Sequence, residues 1–318
     1  MRLTRRTTLG LLTAPLIAGP AFAASKVKVV ATTGMIADAA RVVGGTGVEV
    51  QALMGPGVDP HAYRQTRSDI VAMTRADLVL WHGLYLEAQM EDFFADLGRS
   101  RRVVAVAENL PRDVLRASED YEGRFDPHVW MDPALWSLVI DAVAAALTAA
   151  QPKGADLFAA NAAAYKEQVA ALGDYATGVL SQVPTESRVL LSAHDAFGYF
   201  GSAYGFEVMG IQGISTESEA GLARISELVD FLVERRIGAV FVESSVSDRN
   251  IRAVIEGAAA QGHEVRIGGE LFSDAMGADG TYEGTYVGMI DHNVTTIAGA
   301  LGVDVPAGGM AGRLGQGA

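Results

Sequence analysis

From Lys26 to about Leu301, short runs rich in β-branched residues alternate with stretches whose apolar positions recur at helical spacing, in two successive rounds. This alternation points to an α/β fold with mainly parallel strands, because parallel neighbours need a long crossover and a helix supplies it. The first round predicts strands at Val27–Ala31, Val48–Leu53, Leu78–Trp81 and Val103–Val106, with helices at Met35–Val43 and Ser68–Thr74. The second predicts strands at Val189–Ser192, Phe206–Ile211, Ala239–Glu243 and Glu264–Ile267. Its helices fall near Ala196–Tyr204, Glu219–Arg235 and Asp248–Gln261, and a last one covers Thr285–Leu301. Between the rounds lie two alanine-rich helical stretches, Ala134–Ala150 and Gly154–Gln182, parted by Pro152. The second is longer than one layer of a small lobe requires and is expected to cross the molecule as a rigid connector, with a pair of ordinary surface helices as the alternative. The expected plan is two similar lobes, 24–150 and 184–303, joined by a linker helix over 151–183 and followed by a flexible, glycine-containing tail over 304–318.

Residues 1–23 read as a cleaved export signal. Arg2, Arg5 and Arg6 precede an apolar run that ends in Ala21-Phe22-Ala23, a small-residue cleavage pattern, so the mature chain is expected to start near Ala24. The run is too short to span a bilayer, and Pro15 and Pro20 interrupt it. The pair Arg5-Arg6 favours the twin-arginine route over the general secretory one. The 318 residues include no cysteine, which removes disulfides, thiolate metal sites and a lipid-anchored cysteine, and predicts a soluble periplasmic product. Loss of the three signal arginines takes the net charge from −13 to −16, a surface that disfavours nucleic acid and tolerates cations.

Two short strings recur where loops are expected, Asp59-Pro60-His61 and Asp126-Pro127-His128. In each, a proline with a fixed φ presents the imidazole from a stiff turn, and a carboxylate two residues earlier can accept the second ring N–H, as metal-bound histidines require. Two ordinary turns would read the same way. His194 falls where a buried strand gives way to a helix, the end of an open α/β sheet at which ligands collect, with Asp195 as the expected helix cap or first-turn acid. A structural histidine at a strand–helix turn is the competing reading. In Gly268–Gly277, Glu270 and Asp274 follow a strand, and Asp274 is the better anionic ligand; an Asx turn is its alternative. His82, His263 and His292 read as structural or surface residues. Three imidazoles and one carboxylate would suit Zn²⁺, Mn²⁺ or Fe²⁺ and not Cu⁺, although no local spacing proves that the four meet.

Taken together, the strings Gly55–His61, Asp126–Pro133, Ser192–Phe200, Gly213–Glu219 and Gly269–Gly277 resemble the metal-binding solute-binding proteins of bacterial zinc and manganese ABC importers, in the same order along nearly the whole mature chain. The resemblance implies two α/β lobes joined by a long helix. It also implies a metal held in the inter-lobe cleft by His61, His128, His194 and Asp274, one ion per chain as transported ligand. At the third position some manganese-selective members carry Glu, whereas His194 places this chain with the branch of three histidines and one aspartate. The long His-rich loop of many dedicated zinc scavengers has no counterpart in Ala117–Arg124. The ligand set leans to zinc over manganese. Glu217 and Glu243 are candidate acids behind the ligands or at lobe closure, or else solvated or capping residues.

The expected role is that of a non-enzymatic, monomeric binding component that delivers a divalent metal to a membrane permease and its ATPase. Affinity is expected to fall steeply below neutral pH, since each imidazole near its reference pKa of about 6.5 must lose a proton to bind. A zinc-dependent hydrolase is the alternative class, disfavoured because Asp274 fills the fourth position and no general base is legible. A metal-binding surface adhesin is a third reading.

Overall fold

The computed structural model describes residues 26–118, 121–218 and 220–316; the expected export signal lies outside them. The first half runs β1 (Val27–Ala31), α1 (Gly34–Gly44), β2 (Val48–Ala52), α2 (Arg67–Arg75), β3 (Leu78–Trp81), α3 (Glu91–Leu97) and β4 (Val103–Ala105). Its four strands pair in the order β2-β1-β3-β4, with parallel pairing throughout. Helix α2 starts at a reciprocal cap: Thr66 Oγ1 accepts from the Asp69 N–H, and Asp69 Oδ2 accepts from the Thr66 N–H at 2.7 Å. The short α3 has no clean amphipathic repeat in sequence and was not expected; Phe94 and Leu97 anchor it beside β1 and β3.

Two long helices follow, α4 (Pro133–Ala150) and α5 (Ala155–Leu180). Asp132 caps α4 by accepting from the Ala134 N–H at 2.8 Å, and Pro133 opens the first turn, where its missing N–H costs nothing. The second half runs β5 (Val189–Ser192), α6 (Gly198–Tyr204), β6 (Glu207–Gly210), α7 (Leu222–Arg235), β7 (Ala239–Glu243), α8 (Arg249–Ala260), β8 (Arg266–Leu271) and α9 (Tyr286–Ala300). Strands β5 and β6 pair in parallel, as do β7 and β8, and β5 lies beside β7.

Two expectations at element ends need correction. Strand β8 runs through the diglycine instead of stopping before it: Phe241 pairs with Gly269, Gly268 is the extra residue of a bulge, and a Cβ at 268 would sit 2.8 Å from the Phe241 ring. Helix α6 begins at Gly198, so Asp195 lies ahead of the helix and does not cap it.

Helix α5 packs on α1, α4 and α9, and one apolar core runs from β1 and α1 through Trp136, Phe158 and Leu172 to Tyr286 and Ile290. The long helix is therefore embedded in both halves. A second core lies between β5, β7 and helices α7 and α8. Residues 306–316 form turns against α9, with the Met310 N–H donating to the Asp291 carboxylate and Arg313 over the Tyr282 ring.

Candidate metal centre

Four side chains from four loops converge between the halves. His61 leaves a turn in which Asp59 Oδ1 accepts its backbone N–H at 2.8 Å. His128 leaves the matching turn, where Asp126 Oδ1 accepts the backbone N–H at 2.9 Å and also meets ring Nδ1 at 2.8 Å. The expected carboxylate–imidazole contact therefore forms at His128. At His61 it does not: the carboxylate is taken by the backbone N–H and by Thr216 Oγ1, at 2.5 Å, reaching across from the second half.

His194 stands just past the end of β5, and its orienting group comes from the neighbouring strand. Glu243, the last residue of β7, accepts the His194 backbone N–H at 2.9 Å and meets ring Nδ1 at 2.6 Å, both residues being buried. Of the two roles weighed for Glu243, the structure thus puts it behind the imidazole. Asp274 follows β8 on a loop tied from two sides. Asn293 of α9 exchanges two hydrogen bonds with the Phe272 backbone, and Trp130 Nε1 donates to Ser273 O at 2.8 Å.

The inward-facing atoms are closely spaced. His61 Nε2 lies 3.3 Å from His128 Nε2, His128 Nε2 lies 3.4 Å from Asp274 Oδ1, and Asp274 Oδ2 lies 3.2 Å from His194 Nε2 and 3.9 Å from His61 Nε2. One ligand atom from each residue fits within 4.8 Å of all the others. Ligand atoms at the ~2.0–2.1 Å bond length of zinc in a tetrahedral shell stand about 3.3 Å apart, so the spacing matches a shared cation. The chemistry agrees. An Nδ1 proton given to Asp126 or Glu243 leaves Nε2 bare, and among the described residues His194 Nε2 and both Asp274 oxygens are buried without a hydrogen-bond partner.

Electrostatics separate the three imidazoles. Burial drives His61 down to about 3, and the other imidazoles add to the effect against the pull of Asp274. Burial also disfavours charge on His128, but the hydrogen bond to Asp126 and the charges of Asp126 and Asp274 outweigh it and lift the pKa to about 9. His194 is raised well above the usual range, the carboxylates of Glu243 and Asp274 overcoming burial. Asp274 is held well below the carboxylate range, since His194, His128 and His61 together overcome its desolvation.

The remaining candidates fall elsewhere. His82 is buried with its ring edge-on to Trp130 at 5.0 Å, and burial depresses its pKa to about 3. His263 and His292 bond the backbone carbonyls of Ile237 and Glu270 away from the cluster. Glu217 Oε1 accepts from Gln89 Nε2 at 2.5 Å, a second link between the halves beside Thr216–Asp59. Sequence reasoning missed Glu87, a fully buried carboxylate that accepts from Thr32 Oγ1 and from the His82 and Gly83 N–H groups. Burial raises its pKa to about 7. Nothing in its local sequence distinguishes it from a solvated acid.

An α/β molecule with a long embedded helix and a buried His₃Asp cluster is the architecture of a metal-binding solute-binding protein. Residues 29–300 match the family described as ZnuA, zinc-uptake complex component A, periplasmic. The manganese-binding lipoprotein MntA of Bacillus subtilis (strain 168) is 50% identical over 277 residues, 87% of this chain and 90% of that protein. The iron-binding protein YfeA of Yersinia pestis is 32% identical over 283 residues, 89% of each. The solved structure of the periplasmic zinc-binding protein TroA from Treponema pallidum superposes with a TM-score of 0.85 at 47% identity, covering 87% of this chain and 99% of that one. The chain belongs to the ZnuA/TroA family of metal-binding solute-binding proteins of zinc and manganese ABC importers. It is an extracytoplasmic binding component and not an enzyme.

Proposed function

We propose that this protein captures one divalent transition-metal ion between its two halves through His61, His128, His194 and Asp274 and hands it to a membrane permease driven by an ATPase. The observation that carries the reading is the convergence of four buried residues with one ligand atom each within 4.8 Å of the others, His194 Nε2 and both Asp274 oxygens lacking any hydrogen-bond partner among the described residues. A buried polar cluster left in that condition costs several kcal/mol, and a cation shared by all four removes the cost.

Zn²⁺ is the ion bound more tightly, because three imidazoles favour it and it stands above Mn²⁺ and Fe²⁺ in the affinity order of such sites. Asp274 turns both oxygens inward, one to His128 and one to His194. A bidentate carboxylate adds a fifth donor, so Mn²⁺ is accepted as well. The relatives named for manganese, iron and zinc are consistent with a site of this breadth.

The lobes of this reading are residues 24–150 and 184–303, with 151–183 as connector and 304–318 as tail. In this reading the protein acts as a monomer in the periplasm after export. Fractionation of cells that express the full chain tests this: recovery with soluble periplasmic proteins is expected, and recovery with membranes contradicts it.

A further inference from the structure

The two orienting carboxylates are not equivalent. Among the described residues, Glu243 forms an ion pair with His194 and with no arginine or lysine. Asp126, which holds His128 through Oδ1, faces a cation through Oδ2: Arg116 Nε lies 3.7 Å away. The Arg116 side chain is 44% exposed and borders a surface recess also lined by Asp195, Ser202 and Arg224. Its Nη1 donates to Ser202 Oγ at 2.8 Å across the two halves. The fold makes room for this arrangement. A Cβ on residue 198 would stand 2.7 Å from Arg116 Nε and 2.9 Å from Asp126 Oδ2, so the first residue of α6 has to be glycine for the pair to pack there.

We propose that Arg116 is a positioning and charge-tuning residue that weakens the grip of His128 on the metal and so speeds release. The inference rests on the proposed ligand set. A carboxylate behind a ligating imidazole raises its basicity. A guanidinium on the far side of that carboxylate withdraws part of this support and also repels the dication directly. Asp126 does not depend on the Arg116 side chain for its place. Its N–H donates to Arg116 O, its Oδ1 accepts the His128 N–H, and its carbonyl accepts from Tyr199 Oη. Removal of the charge therefore leaves the carboxylate in position as a stronger acceptor. A transport component needs a bounded affinity, and Arg116 sets one at the end of a chain, Arg116–Asp126–His128, that starts at the surface.

The test compares wild type, Arg116→Gln, Arg116→Lys and His128→Ala, each loaded with Zn²⁺ or Mn²⁺, by release to a fluorescent chelator and by equilibrium competition. Arg116→Gln is expected to release the ion about 3–10-fold more slowly and to bind it correspondingly more tightly, and Arg116→Lys to return to wild-type behaviour. The difference between wild type and Arg116→Gln is expected to shrink as ionic strength rises from about 0.05 to 0.5 M, which a merely structural contact would not produce. Unchanged or faster release from Arg116→Gln, or no recovery in Arg116→Lys, overturns the proposal. If His128→Ala holds the ion as wild type does, the ligand set fails and the inference with it. If His128→Ala loses the ion while Arg116→Gln releases it as wild type does, only the Arg116 inference fails.

Discussion

At the scale of single residues, the centre is governed by what stands behind each imidazole. Both oxygens of Glu243 accept N–H groups of His194, so an amide in its place turns an N–H₂ toward one of those donors. Glu243→Gln is expected to lower metal affinity about 10–100-fold, measured by chelator competition. Protonation follows the same geometry. The carboxylates behind and beside them push His128 up to about 9 and His194 well above the usual imidazole range, whereas burial takes His61 down to about 3. Metal binds imidazoles that have lost the competing proton, so affinity falls as pH is lowered, and the raised His128 and His194 extend that fall to neutral pH and above. Calorimetry in buffers of different ionisation enthalpy should find net proton release on metal binding at pH 7; release of none contradicts the assignment. For the metal-free fold the sign is opposite. The raised pKa of His128 stabilises the fold below its unfolded value of about 6.5, and that contribution is lost as pH rises through about 9.

At the scale of elements, strand ends and helix faces place the ligands. His194 stands just past the end of β5 and Glu243 ends the neighbouring β7, and α9 holds the Asp274 loop through Asn293, which is buried and makes both of its bonds to Phe272. Asn293→Ala leaves the N–H and C=O of the part-buried Phe272 without these partners. It is expected to cost about 1–3 kcal/mol of stability and to weaken metal binding, measured by thermal melts and titration side by side. Much of this level was legible in sequence. The strands Val27–Ala31, Leu78–Trp81, Val189–Ser192 and Ala239–Glu243 match residue for residue, because buried parallel strands carry a dense apolar run, broken in the first only by the exposed Lys28. The two Asp-Pro-His turns were legible because proline and aspartate fix local geometry. What sequence could not supply is long-range: the pairing of Glu243 with His194, the burial of Glu87 and the meeting of Arg116 with Asp126 depend on the packing of distant segments. Strand β8 was misjudged for a tertiary reason as well, since its diglycine is set by the Phe241 ring and not by a local turn.

At the scale of the whole molecule, α5 is the element that limits motion. It shares one core with α1, α4 and α9, and two side-chain bonds, Gln89–Glu217 and Thr216–Asp59, join the halves next to His61. Wide hinge opening would tear apolar surface that both halves share, so metal loss is expected to rearrange loops while the radius of gyration stays constant within error in solution scattering. A large increase on metal removal contradicts a rigid connector. The central claim is that His61, His128, His194 and Asp274 hold one transported ion. Its most direct test is competitive titration of the metal-stripped protein with Zn²⁺ and Mn²⁺, run beside His194→Ala. The account predicts one ion per chain, Zn²⁺ bound more tightly than Mn²⁺, and affinity for both largely lost in the variant; binding unchanged in His194→Ala would contradict it.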